Sequence, residues 1–209
     1  MKKRFLTYGL LLSSILLYSN GTAAYADDAT SNANTTVAAG DGTGALIDSN
    51  VKPATNSSGS LTIDAVSSFN FGTIKVGVTS KTAETTNGEK LGVQVRDVRG
   101  TGAGWALNVK VGTFTNTTDS TKTLSASVSI PKGTVSNGVD STQGVVAKSV
   151  VLNSSYANVM NAPKDTGMGR WLDTFESTSD KVTLQDIAQN AYTGSYTATM
   201  NWQLVDAPS

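Results

Sequence analysis

The sequence predicts an all-β protein, a single antiparallel β-sandwich domain with little helix. Three observations predict it. Apolar residues recur at every second position through most runs after Ser60. Clusters of Gly, Asn, Ser and Thr separate those runs at short intervals, as turns do in sandwiches. No segment carries a long stripe at helical spacing, and "QDIAQNAY" has room for one or two helical turns only.

The elements follow in order. In "SLTIDAV" one face holds Leu61, Ile63 and Ala65, and in "KLGVQVRDV" it holds Leu91, Val93 and Val95. "WALNVKV" places Trp105, Leu107, Val109 and Val111 together, and "TLSASVSI" places Leu124, Ala126, Val128 and Ile130. "KSVVLN" and "KVTLQ" read as shorter strands. "SYTATMNWQLV" alternates Tyr196, Ala198, Met200, Trp202 and Leu204. The turns between are "TTNGEK", "RGTGAG", "NTTDST" and "PKGTVSNG". Abundant Thr and Val suit a pleated, half-buried surface.

Residues 1–26 read as a secretory signal peptide. Lys2, Lys3 and Arg4 form a basic start, an apolar run extends from Phe5 to Tyr18, and "TAAYAD" supplies small residues before a cut at Asp27. Residues 27–59 are rich in Ala, Thr, Asn, Ser and Gly. They are expected to form a flexible low-complexity segment, with "TTVAAG" or "GALIDSN" as candidates for an edge strand. Residues 60–209 form the expected sandwich domain.

Composition narrows the function. Loss of the leader removes three basic residues and no acid, leaving 13 basic against 16 acidic residues, a net charge of −3. That balance does not suit nucleic-acid binding. The chain has no His and no Cys. A Ser-His-Asp triad, a Cys nucleophile and zinc sites built on Cys or His are therefore excluded. Asp173 and Glu176 are near neighbours, but nothing in their spacing indicates a fixed hydrolase pair. The expectation is a protein without catalytic residues, metal or cofactor. With no lipidation Cys and no second apolar span, the exported product is expected to be released or held non-covalently, with no membrane contact after cleavage.

Two of the three tryptophans sit in one tripeptide pattern, Trp105-Ala106-Leu107 and Trp202-Gln203-Leu204, 97 positions apart. Strand alternation puts each Trp and Leu on one face and Ala106 or Gln203 on the other. Both pairs lie in phase with apolar runs, which favours a core; partly exposed rings stacking on sugar is the alternative. Trp171, in "APKDTGMGRWLDTFE", reads as a loop or strand-start residue with equal claims to either role. Asp97 and Arg99 read as a local ion pair at a strand end, or as groups for a carboxylate or phosphate on a partner, and Arg96 points to the opposite face. "RGTGAG" lacks the Lys-Ser/Thr ending of a phosphate loop and reads as a hairpin connection.

Together these stretches resemble the WxL-domain surface proteins of low-GC Gram-positive bacteria. The resemblance is carried by "GSLTIDAVSSFNFGTIKV", "VQVRDVRGTGAGWALNVKV", "APKDTGMGRWLDTF" and "YTGSYTATMNWQLVDAP", and "VSSFNFG" stands where the family often has a proline before its Phe-Gly. The resemblance implies non-covalent attachment to the cell wall at the cell surface, with peptidoglycan or another wall glycan as ligand. Its motif residues here are Trp105, Leu107, Trp202 and Leu204, accompanied by Asp97, Arg99 and Trp171. It also implies surface-protein partners, so a structural subunit held through another protein is the alternative to direct glycan binding.

Overall fold

The computed structural model describes residues 31–41, 45–86, 88–139, 144–175 and 181–206; the leader expected over residues 1–26 lies outside them. Contacts divide the chain into two units, residues 1–36 and residues 37–209. The described part of the first, residues 31–36, is exposed and without regular structure. All the described strands belong to the second.

In chain order the strands are β1 (Leu61–Val66), β2 (Lys81–Thr82), β3 (Gly92–Asp97), β4 (Trp105–Val111) and β5 (Phe114–Asn116). Then come β6 (Thr123–Leu124), β7 (Ser127–Ile130), β8 (Thr134–Ser136), β9 (Val146–Ala147) and β10 (Val150–Leu152). The last are β11 (Ala157–Ala162), β12 (Gly169–Thr174), β13 (Thr183–Gln185), β14 (Tyr196–Thr197) and β15 (Met200–Asp206). Among the described residues there is no helix, and "QDIAQNAY" forms none.

The strands make four antiparallel sheets, ordered β1-β3-β12-β8, β10-β7-β13-β2, β15-β4-β11-β9 and β14-β5-β6. The β1 and β15 edges approach each other, as do β8 and β9, so the first and third sheets stack as the two layers of a sandwich. Between them lies one continuous apolar core. It holds Val93, Val95 and Trp171 from one layer and Trp105, Leu107, Val109 and Met160 from the other, with Val128, Ile130 and Leu184 of the second sheet closing its side. These are the alternating faces read from the sequence.

The reverse face of β3 behaves differently. Gln94 and Arg96 alternate with the core valines and would ordinarily meet water, yet Gln94 is 1% and Arg96 3% exposed. Residues 45–57 lie across this face. Val51 bridges to Lys90 and Ala54 to Ala65, and Ile47 donates its backbone N–H to Gln94 Oε1 at 2.7 Å. Beneath them Asp64 accepts from Arg96 Nη2 at 2.9 Å, Thr62 Oγ1 at 2.8 Å and Gln94 Nε2 at 3.1 Å. A small apolar cluster of Val51, Ala65 and Leu172, with Leu46 and Ile47 against it, fixes the covering segment. Burying these polar groups is tolerable because most of them partner one another.

Arg96 Nε and Nη1 stay without a partner among the described residues, and so does the whole carboxyl of Asp173. Asp173 lies on the core face of β12, in register with Val93, and is fully buried. Neither carboxyl oxygen has a partner among the described residues, and Gly133 stands where a Cβ would run into the carboxyl. Burial pushes its pKa up from 3.8 to about 7. The folded state therefore binds this proton more tightly than the unfolded chain, and the corresponding stability is fully present below about pH 4 and lost as pH rises toward 7. Urea unfolding of wild type should show stability falling between pH 5 and 8 by on the order of 2 kcal/mol more than in Asp173→Asn, which cannot ionise. Parallel pH profiles for the two proteins would contradict this account.

Candidate functional site

The first motif opens β4. The preceding glycines, Gly100, Gly102 and Gly104, all have positive φ (71°, 64° and 79°), a conformation that other residues adopt at a cost. At Gly104 a Cβ would also collide with the Ala162 carbonyl, so only glycine lets the turn close against β11. Trp105 follows with no exposure, and its indole nitrogen donates to the Gly167 carbonyl at 3.0 Å. Gly167 itself has no room for a Cβ between Ala162 and the indole. The two glycine-rich stretches, "RGTGAG" and "DTGMGR", thus close on one tryptophan.

The second motif is the neighbour of the first. β15 pairs antiparallel with β4, with Leu204 opposite Leu107, Trp202 opposite Val109 and Asp206 opposite Trp105. The repeated tripeptide is therefore a single two-strand ladder, its leucines paired and its tryptophans toward opposite ends. Trp202 is half-buried and stacks on Phe175, with ring centroids 6.4 Å apart and planes 12° from parallel. Leu204 is also half-buried against the core. Trp171 sits within β12, 1% exposed, and its indole donates to the Met168 carbonyl at 3.0 Å. The sequence left it as a loop or strand-start residue; the pairing of β12 with β3 buries it.

Asp97 and Arg99 lie at one end of this ladder. Arg99 Nε donates to Asp97 Oδ1 at 2.9 Å and Nη2 to Asp97 Oδ2 at 2.7 Å, a two-pronged grip on a carboxylate that is 1% exposed. Nη2 also donates to the Gly104 carbonyl at 2.8 Å, and Nη1 pairs with Asp206. One guanidinium thus joins the end of β3, the turn before β4 and the end of β15. The hydrogen bonds to Asp97, which outweigh desolvation, raise the Arg99 pKa above its ordinary value. The Asp97–Arg99 pair is legible in the sequence. The third partner, Asp206, is 107 residues from Arg99, and no local pattern announces it.

The named residues are thus largely withdrawn from solvent. What the same strands show outward is their other face. Asn108 is flanked in register by Gln203 on β15 and Asn158 on β11, with Ala106, Lys110, Asn201, Val205 and Asn161 around them. Asn158 Nδ2 donates to Asn108 Oδ1 at 3.1 Å and to the Leu107 carbonyl at 3.1 Å, across a bulge between Asn158 and Met160. Lys110 Nζ lies 4.6 Å over the Tyr156 ring. The face is rich in amides and without a carboxylate among these residues; the Oδ1 atoms of Asn158 and Asn161 are buried and have no partner among the described residues. The motif's middle residues, Ala106 and Gln203, belong to it.

A concave surface opens at the other end of the β4–β15 ladder. A cleft of about 600 Å³ lies between the irregular stretch Phe69–Val78 and residues Ala191–Ala198, floored by Phe114, Leu124 and Met200 among others. Among the described residues no group of three or more His, Cys, Asp or Glu side chains could hold a metal.

The fold and these surfaces define an all-β display domain, in which a buried motif holds exposed faces in place. Residues 29–208 match the family described as WxL domain, surface cell wall-binding, and the chain belongs to that family. The family places it among cell-surface, cell wall-binding domains rather than among enzymes. No curated protein and no solved structure matches the chain.

Arg99→Ala should destabilise by about 3 kcal/mol, because it strands the buried Asp97 carboxylate. Asp206→Asn, at the exposed arm of the same clamp, should cost under about 1 kcal/mol. Chemical denaturation of the two variants beside wild type measures both, and equal losses would mean that Asp97 is not the anchor.

Proposed function

We propose that the chain is exported through the leader at residues 1–26 and then held non-covalently on the Gram-positive cell wall by binding peptidoglycan. The contact surface in this reading is the amide face of β15, β4 and β11, and the Trp-x-Leu residues act by holding that face in place. Its main support is the division of labour within each tripeptide. Trp105 and Leu107 are fully buried and Trp202 and Leu204 pack half-buried against the core, while Asn201 and Gln203 are exposed and Asn108 between the strands is partly exposed. Side-chain amides offer both donors and acceptors, which match the hydroxyl and acetamido groups of a wall glycan. The absence of a carboxylate among the residues of this face spares it repulsion from the acidic groups of the wall. Wall binding as such is the family's description; peptidoglycan, export and the amide face are the parts proposed.

Co-sedimentation of the mature chain with purified peptidoglycan, bare or with its wall polymers, tests the reading. Wild type should pellet with the bare polymer, and Asn108→Ala combined with Gln203→Ala should weaken retention at least about tenfold with little change in melting temperature. Trp171→Ala should reduce retention only as far as it unfolds the domain, which circular dichroism reports. Failure of wild type to pellet would rule out direct peptidoglycan binding; retention by the double variant would move the site off the amide face.

A further inference from the structure

We infer that the cleft between Phe69–Val78 and Ala191–Ala198 is a docking groove for an extended segment of a second protein, one that brings a bulky apolar side chain and an acidic residue. The argument starts from the stretch "TIKVGV". Its Ile74, Val76 and Val78 alternate as a strand would. It forms none. A turn closed by Val78 N–H to the Lys75 carbonyl, at 3.1 Å, interrupts it at Val76 and Gly77, the latter with φ 93°. Glu84 N–H to the Asn70 carbonyl (2.7 Å) and Ile187 N–H to the Thr79 carbonyl (3.1 Å) tether the stretch at its two ends. Between those tethers no backbone amide from Thr73 to Gly77 is donated to a described residue, and Val76 remains 57% exposed.

The opposite wall is also incomplete. β14 pairs with β5 on one side only and is the edge of its sheet. Just before it, Tyr192 is 66% exposed, with Lys122 Nζ 5.3 Å from its ring centroid. A strand entering the cleft would meet an open edge on one side and undonated amides on the other, which is the requirement for strand addition.

The floor decides between ligand chemistries. It is made of core side chains such as Phe114, Leu124 and Met200. Sugar hydroxyls laid on that floor would lose water without gaining partners from it. An apolar amino-acid side chain gains from the same burial. Charge selects further. Lys75 is the one charged residue among the described residues lining the cleft, and it makes no ion pair with a described residue. Glu84, close by, is paired with Lys81 at 2.8 Å. The groove therefore favours an acidic segment. It also disfavours a second copy of this chain joined through the same stretch, since that would bring two Lys75 ammonium groups together.

A random linear peptide library displayed on phage and panned against the mature chain tests the inference. The peptides enriched should pair bulky apolar residues with at least one Asp or Glu. Fluorescence polarisation of synthetic copies should show at least tenfold weaker binding to Tyr192→Ala, and Lys75→Glu should select basic peptides instead of acidic ones. Both substitutions fall on exposed side chains, so thermal melts should match wild type. Panning that yields nothing beyond what Tyr192→Ala yields, or peptides that bind wild type and Lys75→Glu alike, would overturn it.

Discussion

The antiparallel register between β4 and β15 is the constraint from which the rest of this domain follows. Leu107 faces Leu204, and every other residue of both strands then has its side assigned. A slip of one residue would carry Trp202 and Leu204 out of the core and push Gln203 and Asn201 into it, reversing both faces at once. The apolar gain from burying the two leucines and the stacked Trp202 holds the register from within. The Arg99 guanidinium holds it from the end, because it reaches Asp206 only when that residue lies opposite Trp105. Packing and charge thus select the same alignment, the kind of agreement between levels that gives a sequence one structure.

The strands were legible because half-buried antiparallel sheets write their two faces into alternate residues. That signal located β1, β3, β4, β7 and β15, and it placed Trp105, Leu107, Val93 and Val95 on the faces where they lie. It was weaker where both faces are covered. Arg96 read as lying opposite the core face, and its burial there beside Gln94 depends on residues 45–57, of which the sequence offered only "GALIDSN" as a candidate edge strand. Trp171 was ambiguous for a related reason. The glycines before it suggested a loop, whereas one of them, Gly167, lets the chain pass close to the Trp105 indole. Asp206 could not be found, since an ion pair over 107 residues leaves no trace at either end. The candidate surfaces follow the same logic. The amide face was implied once the Trp and Leu faces were assigned. The cleft depends on which edges remain unpaired, a property of topology rather than of any segment.

Of the three tryptophans, Trp105 and Trp171 are the least available to a ligand, while Trp202 stays half-buried. Trp105 and Trp171 each have the indole N–H satisfied by a backbone carbonyl inside the protein, at 3.0 Å in both cases. A ring with its polar edge already bonded and its faces packed has little left to offer another molecule. The tripeptide of β4 is thus spent inside the protein, and that of β15 packs half-buried against the same core.

The long reach of the β4–β15 pairing also bears on the order in which the molecule can assemble. β4 lies at the centre of its sheet, yet one of its two neighbours is the last described strand of the chain. Contacts of such sequence separation form slowly, because a large loop must close before any ladder bond rewards it. Until residues 200–206 arrive, β4 presents a bare apolar edge. Under the export proposed above, a chain crossing the membrane extended and N-terminus first stays incompletely folded until β15 emerges, and in that interval the unfinished edge of β4 is open to pairing with another chain.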